Sequence, residues 1–202
     1  MNSKSYRIVL VLVFLSCMLG SAVAQNAKTI LDKTAAAVSS KSGAKASFTI
    51  KGSSFNTSGT FAMKGKKFHA STPQATIWYD GTTQWTYMKK NDEVNISRPS
   101  DSQQQAINPY SFIYLYKDGY SYTATKQGKN YEVHLKATKK KSIDEMYIVV
   151  NQKTYIPSQI RYHQGKGWTT IDITKFTSAS LSDATFRFNS KDFPSAEVID
   201  LR

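Results

Sequence analysis

The stretch from residue 57 to residue 88 constrains the fold most, because its side chains alternate with the period of two that is typical of β-strands. Phe61 and Met63, for example, alternate with smaller or polar neighbours. Near the end of the stretch, Asp80-Gly81 separates two β-rich segments. An Asp-Gly pair in that setting favours a tight hairpin turn, since glycine adopts positive φ at little steric cost. The stretch therefore predicts four short antiparallel strands with one face rich in large apolar groups.

The same period continues along most of the remaining chain, up to a last predicted strand at residues 185–188. Apolar residues at helical spacing predict an amphipathic helix over residues 26–40. A second, aromatic-rich helix is predicted to begin at Asn108-Pro109, where a capping side chain precedes a proline. Such a long run of strands, about eleven, tends to curl. We therefore expect a mainly β fold with some α, an unclosed antiparallel half-barrel with a helical lid.

The N-terminal residues have the three parts of an export signal. A short basic region precedes the apolar run 8–15, which is too short to span a bilayer, and Ala22-Val23-Ala24 supplies the small residues that a signal peptidase reads. We predict a signal peptide over residues 1–24, cleaved after Ala24, followed by one exported domain over residues 25–202. An alternative stays open at Cys17, because the residues before it loosely resemble a lipoprotein box with a lipidated cysteine.

Charge and cysteine content narrow the possible functions. Cys17 is the only cysteine, so the exported domain has no disulfide framework, thiolate zinc site or cysteine nucleophile. The chain carries 27 Lys and Arg against 14 Asp and Glu, a formal net charge of +13. This balance is typical of proteins with anionic partners, although lysines in turns are ordinarily solvated. Binding of an anionic polymer is therefore one alternative function.

The sequence contains no recognisable catalytic constellation. His69, His134 and His163 fall on three different predicted strands, without a His/Asp/Glu pair at ligand spacing. A Gly-x-Ser-x-Gly elbow and a phosphate-binding glycine-rich loop are both missing from the sequence. We expect no enzyme activity, no catalytic residue, no metal and no cofactor. Aromatic residues make up 12% of the chain, and on strands they line either a packed core or a ligand cavity.

Short motifs, spread in order over nearly the whole exported domain, carry a family resemblance. They are Ala46-Ser47-Phe48-Thr49, Gly59-Thr60-Phe61, Lys67-Phe68, the run 80–87, Asn108-Pro109, the run 181–188 and the run 197–200. Together they resemble the periplasmic outer-membrane lipoprotein carriers of the LolA family. The resemblance implies an unclosed β-barrel with a helical lid, whose hydrophobic cavity accepts the acyl chains of lipoproteins.

The resemblance also implies a location and partners. It places the protein in the periplasm, where it takes acylated lipoproteins from an inner-membrane lipoprotein-releasing ABC transporter and passes them to an outer-membrane acceptor. We expect a monomer that binds no nucleic acid. A carrier or sensor of free lipid or glycolipid is the alternative within the same fold.

One segment departs from the family pattern. Family members often carry an Arg-Pro pair before the phenylalanine matched by Phe68, and that arginine helps to hold the lid. This chain has Lys64-Gly65-Lys66-Lys67 there, one residue shorter. Lysine does not make the planar fork of hydrogen bonds that arginine makes.

The acyl-chain cavity is predicted to be lined by strand residues and closed by the second helix. The inward orientation of the strand residues is predicted from the period of two, and Phe61 and Trp85 also belong to the family motifs. The predicted lining residues are Phe48, Ile50, Phe61, Met63, Phe68, Ile77, Trp85 and Tyr87, with Phe112 and Leu115 closing the cavity from the helix.

Overall fold

The computed structural model describes residues 26–39, 41–100, 103, 110 and 115–202. The predicted signal peptide, the alternative at Cys17, the start of the second helix at Asn108-Pro109 and Phe112 lie outside these residues. Residues 26–38 form helix α1, which agrees with the helix predicted over residues 26–40. Within the described ranges, no helix combines the length and the hydropathy needed to cross a membrane.

The described residues contain one sheet of twelve strands. In chain order they are β1 (Ala44–Lys51), β2 (Asn56–Lys64), β3 (Lys67–Ser71), β4 (Ala75–Tyr79), β5 (Gln84–Met88), β6 (Glu93–Ser97), β7 (Tyr120–Gln127), β8 (Asn130–Ala137), β9 (Ile143–Asn151), β10 (Pro157–Gln164), β11 (Gly167–Ser178) and β12 (Glu197–Asp200). Their order across the sheet is β12-β6-β5-β4-β3-β2-β1-β11-β10-β9-β8-β7. Only β12 runs parallel to its neighbour, β6, and the sheet is unclosed. The predicted antiparallel half-barrel is confirmed.

The turn between β4 and β5 shows how the local sequence forms a hairpin. The Asp80 carboxylate accepts hydrogen bonds from the backbone N–H groups of Thr82 and Thr83, at 3.0 and 2.9 Å. Gly81 has φ of +103°, a conformation that side-chain-bearing residues rarely adopt. The turn predicted from Asp80-Gly81 is therefore present, and it joins two antiparallel strands.

The pairing register assigns every strand residue to one of two faces of the sheet, since directly opposed residues point to the same side. The inner face carries the main hydrophobic core, together with the apolar side of α1. From the sheet, its buried members include Phe48, Phe61, Met63, Phe68, Tyr79, Val133, Leu135, Met146, Ile148, Val150, Ile160, Ile171 and Ile173. From α1 they include Ile30, Leu31 and Val38. The core therefore lies between α1 and the inner face.

The outer face of β2–β5 is covered by residues 181–193, which we call the C-terminal cover. Phe186 is fully buried in a small cluster with Ala62 and Leu181. The strand predicted at residues 185–188 is wrong, because Asp183–Phe186 forms a 3-10 helix. Its backbone bonds locally, with Thr185 N–H donating to the carbonyl of Ser182, so this segment does not join the sheet.

Two lysines of the segment that departs from the family pattern hold this C-terminal cover. Lys64 Nζ lies 3.3 Å from Asp183 Oδ1 and also donates to the carbonyl of Leu181 at 2.9 Å. Lys67 Nζ lies 2.7 Å from Asp183 Oδ2. Hydrogen bonds from both lysines lower the pKa of Asp183. These lysines therefore bind a different element from the lid that the family arginine helps to hold.

Replacing Phe193 by alanine is expected to loosen this cover without unfolding the sheet. The ring of Phe193 lies 5.6 Å from that of Trp78 and 4.6 Å from that of Tyr87. Losing these half-buried contacts is expected to lower the free energy of unfolding by about 1–2 kcal/mol. Tryptophan fluorescence should shift to the red as Trp78 gains water. Phe55→Ala is the matched control, because the Phe55 side chain is already exposed, and an equal shift in that variant would contradict the assignment.

Candidate functional site: the inner face of the half-barrel

Aromatic rings from three adjacent strands meet on the inner face of β2–β4. The rings of Phe61 and Phe68 stack with centroids 5.8 Å apart and planes 17° apart. Tyr79 continues the row at 5.4 Å from Phe68. Above them, Tyr110 lies 5.2 Å from Phe61. The meander therefore presents a continuous aromatic surface, and at least one residue outside the sheet packs on it.

The structure brings most of the described predicted lining residues together on this face. The buried ones are Phe48, Phe61, Met63 and Phe68. The half-buried ones, packed against the same core, are Ile50, Ile77 and Leu115. These residues therefore share one core, and their role in lining an acyl-chain cavity stays a prediction.

The predicted orientation of Trp85 and Tyr87 is wrong. Trp85 pairs with Trp78, while Ile77 pairs with Thr86. Since opposed residues share a face, Trp85 and Tyr87 lie on the outer face, whereas Ile77 lies on the inner one. The period of two identified the alternating sets on each strand, but the register across the Asp80-Gly81 turn decides which sets coincide.

The other half of the inner face was missed by the sequence prediction. Strands β8–β11 contribute fully buried aliphatic side chains that share one core with the aromatic row. They include Val133, Leu135, Met146, Ile148, Ile160 and Ile171. The signal was present in their alternation along the strands, as in the buried positions of β9. No family motif had marked them as cavity residues.

The inner face becomes polar toward β5 and β6. Gln84, opposite Tyr79, is 7% exposed, and its Nε2 donates to Thr86 Oγ1 at 3.1 Å. Its Oε1 has no hydrogen-bond partner among the residues the structure describes. On the next strand Asn95, which pairs with Thr86, donates to Glu93. The inner face therefore offers an apolar floor bordered on one side by amide, hydroxyl and carboxylate groups.

Helix α1 is fastened to the segment that leads into β7. The hydroxyl of Tyr116 donates to Asp32 Oδ1 at 2.5 Å, and Lys28 Nζ lies 2.7 Å from Asp32 Oδ2. Hydrogen bonds from Lys28 and from Tyr116 both lower the pKa of Asp32, so the carboxylate stays charged at neutral pH. A second attachment joins α1 to the turn after β9, where Lys33 Nζ lies 4.8 Å above the ring of Tyr155. These contacts hold α1 against the half-barrel.

Tyr116→Phe is expected to loosen α1 while keeping the aromatic ring in place. The variant loses one hydrogen bond to a charged but partly exposed carboxylate, which corresponds to about 1 kcal/mol of stability. Urea denaturation measures the loss, and amide hydrogen exchange in α1 should become faster than in β9. Tyr122→Phe is the control, since that ring lies next to Tyr116 at 6.1 Å. Equal exchange in the two variants would contradict the attachment.

Both histidine–carboxylate pairs of the described residues lie away from the inner face. His134 Nε2 is 2.8 Å from Glu145, and His163 Nδ1 is 2.7 Å from Asp144. His134 and Glu145 flank Tyr147 on the outer face, where the His134 and Tyr147 rings stack 4.4 Å apart. Across the described ranges, no group of three or more His, Cys, Asp or Glu is arranged to hold a metal ion. The inner face itself is suited to burying hydrocarbon.

Comparisons with known proteins agree with this architecture. A family model described as outer membrane lipoprotein carrier protein LolA matches residues 18–166. No curated protein matches the sequence. An uncharacterized conserved protein from Thermus thermophilus has the same fold, with a TM-score of 0.61 at 12% identity over 87% of this chain and 99% of that chain.

Two further solved structures are more distant. A LolA superfamily protein from Nitrosomonas europaea has a TM-score of 0.45 at 12% identity, over 80% of this chain and 97% of that chain. A putative outer membrane lipoprotein-sorting protein domain from Vibrio parahaemolyticus has a TM-score of 0.47 at 10% identity, over 81% of this chain and 97% of that chain.

Proposed function

The chain belongs to the LolA family of outer membrane lipoprotein carriers, and we propose that its inner face binds the acyl chains of lipoproteins. The protein then carries them through the periplasm from the inner to the outer membrane. The observation that carries the proposal is the single apolar inner face of an unclosed sheet, part of which is only half-buried. The proposed role is binding and transport, without a chemical step.

Hydrocarbon burial is strong enough for such a carrier. Each buried methylene contributes about 0.8 kcal/mol, so a partly enclosed acyl chain is retained in water. Half-buried Ile50 and Ile77 lie beside the buried aromatic row and extend its apolar surface. Movement of α1 would change how much apolar surface is enclosed, and that change provides a route to release.

The polar border of the inner face can hydrogen-bond the groups that join the acyl chains to the lipoprotein's peptide. An acylated lipoprotein joins hydrocarbon chains to a peptide through ester and amide groups, which keep their hydrogen-bonding needs when the chains are buried. The buried Oε1 of Gln84 can accept a hydrogen bond from such an amide. In this arrangement the acyl chains lie over β1–β4 and the peptide leaves across β5 and β6. The ABC transporter of the inner membrane would load this site, and an outer-membrane acceptor would empty it.

Capture from periplasmic extract tests the proposal. The tagged protein should retain acylated lipoproteins, identified by mass spectrometry of their acylated N-terminal peptides. The matched control is one captured lipoprotein whose lipidated cysteine has been replaced, which should no longer bind. Binding of the acylated and unacylated forms with equal affinity would refute acyl-chain recognition.

A carrier of free lipid or glycolipid is the second candidate, and the departure at Lys64-Gly65-Lys66-Lys67 favours it. Lys64 and Lys67 hold the C-terminal cover on the outer face, whereas the family resemblance assigns the arginine at this segment to the lid. Native mass spectrometry of the protein from its host separates the two candidates. A bound mass of phospholipid size, with no lipoprotein captured from the same extract, would favour the second.

The net charge of +13 keeps anionic-polymer binding as a third candidate. Polymer binding through lysines should weaken steeply as salt rises, because it releases counterions. Acyl-chain binding should change little over the same salt range. A flat salt dependence of cargo affinity would therefore exclude the polymer.

A further inference from the structure

A groove of about 440 Å³ lies on the outer face, on the side of the sheet opposite the proposed acyl-chain site. Its polar lining comes from strands β1, β2, β3 and β11 and from the C-terminal cover. The polar residues of the lining are Lys45, Ser47, Thr60, His69, Lys175 and Thr185, and Ala46, Phe61 and Ala62 complete it. The groove therefore brings basic and hydroxyl groups together away from the hydrocarbon-binding surface.

The strand register explains why a depression forms here. Lys45 pairs with Ala62, and Ala62 pairs with His69, so these three lie in one row across the outer face. Alanine is the short member of that row. Thr185, on the 3-10 helix of the C-terminal cover, also lines the groove. The groove therefore forms where the short side chain of Ala62 lies between the longer side chains of Lys45 and His69.

A β-bulge adds the second lysine. Lys45 pairs with Thr177 and Ser47 with Thr174, so β11 has one more residue than β1 at this point. Lys175 lies in that bulge with φ of +52°, where glycine is the usual residue. Its side chain lines the outer groove, whereas the next residue, Phe176, packs against the inner core. The backbone of Lys175 is therefore strained at the position that directs its side chain to the groove.

The charges of the groove are uncompensated. Neither Lys45 nor Lys175 has a carboxylate partner within the part of the chain that the structure describes. Lys64 and Lys67, by contrast, share Asp183 nearby. Burial, together with the charge of Lys45, lowers the pKa of His69, so its ring is neutral at pH 7 and retains one N–H donor. Among the described residues, no acidic side chain lines the groove.

We propose that this groove binds a phosphoryl group, with Lys45 and Lys175 supplying the charge and the hydroxyls of Thr60 and Thr185 supplying further hydrogen bonds. A phosphoryl group presents several strong acceptor oxygens and negative charge, which match the hydroxyl and imidazole donors and the two ammonium groups among the lining residues. A soluble phosphate ester and the headgroup of an anionic phospholipid share this chemistry. The assignment does not depend on what the inner face carries.

Nuclear magnetic resonance tests the groove directly, because the chain has only 3 histidines and the His69 ring reports on it. Titration with inorganic phosphate or glycerol 3-phosphate should shift the His69 ring signals and leave those of His134 and His163 unchanged. Acetate at equal ionic strength is the control anion. The double variant Lys45→Gln/Lys175→Gln should weaken phosphate binding about tenfold or more, since both charge-assisted contacts are lost.

The matched control is Lys126→Gln/Lys129→Gln, which removes the same charge from exposed positions at the β7–β8 turn. It should leave the phosphate affinity within about twofold, since screening limits the reach of exposed charges. An equal loss in both double variants, or equal His69 shifts with acetate, would overturn the proposal. So would the absence of any His69 shift with phosphate.

Vesicles distinguish the two sources of the phosphoryl group. Co-sedimentation with phosphatidylglycerol vesicles, lost in Lys45→Gln/Lys175→Gln but kept in Lys126→Gln/Lys129→Gln, assigns the groove to a lipid headgroup. Phosphate-dependent His69 shifts without such co-sedimentation assign it to a soluble phosphate ester. Co-sedimentation that is equal in both double variants reflects net charge alone and would exclude the lipid source.

Discussion

Ile77→Glu is expected to weaken acyl-chain capture strongly while the chain stays folded. Ile77 is half-buried on the inner face, packed against the core that contains Phe61. Because the position is partly open, the carboxylate can reach water, and we expect a stability loss of only about 1–2 kcal/mol. Hydrocarbon placed over the same spot would have to desolvate that carboxylate, which is far more costly. Affinity for acylated cargo should therefore fall by at least about tenfold, measured by titration with one purified acylated lipoprotein.

The matched control for this experiment is Ile96→Glu. Ile96 is also a half-buried isoleucine, but it pairs with Trp85 and so lies on the outer face. The Ile96→Glu variant should bind cargo with an affinity within about twofold of the wild type, since only the inner face is proposed to hold hydrocarbon. If Ile96→Glu lost capture and the folded Ile77→Glu kept it, the assignment of the two faces to their functions would be reversed.

Phe61→Glu is expected to have the largest effect on stability of any substitution considered. Phe61 is 3% exposed, and its ring stacks on Phe68 and contacts Tyr110. Removing a buried phenylalanine ring costs about 3–5 kcal/mol, and an unpaired buried carboxylate adds to that cost. The sum is a large part of the roughly 5–15 kcal/mol that typically holds a domain together. Thermal and urea denaturation should show a chain that is largely unfolded at room temperature.

Phe55→Glu provides the control for the chemistry of this substitution. Phe55 is 52% exposed, so the same change there should alter stability by less than about 0.5 kcal/mol. A Phe61→Glu chain as stable as the wild type would mean that this part of the inner face borders hydrated space. In that case Phe61, rather than Ile77, would be the better position for testing capture.

The strands and α1 were predictable because their signals are local. The alternation of Phe61 and Met63, the Asp80-Gly81 turn and the helical spacing over residues 26–38 all depend on neighbours along the chain. The exception is residues 185–188, where a tertiary contact overrides the local alternation. Phe186 and Phe188 alternate as they would in a strand, yet residues 183–186 turn into a 3-10 helix so that Phe186 is buried against Ala62. Burial against the outer face was favoured over the extended conformation.

The candidate site was only partly predictable, since it depends on register. Ile77 and Trp85 are both large and apolar, and only the pairing across the turn places one on the inner face and the other on the outer face. A shift of one residue would exchange their positions. Likewise, the β-bulge that directs Lys175 to the outer groove requires β1 and β11, which lie far apart in sequence, to pair with one extra residue.

The mainly β architecture, the first helix and the shared face of Phe61 and Phe68 follow from the amino-acid sequence, because periodicity and turn chemistry act over a few residues. Three features required the folded chain: strands β8–β11 share one core with that aromatic row, the C-terminal segment covers Trp78, and Tyr116 fastens α1 through Asp32. These outcomes depend on contacts between distant segments, whose geometry is fixed when the whole sheet pairs and buries one face.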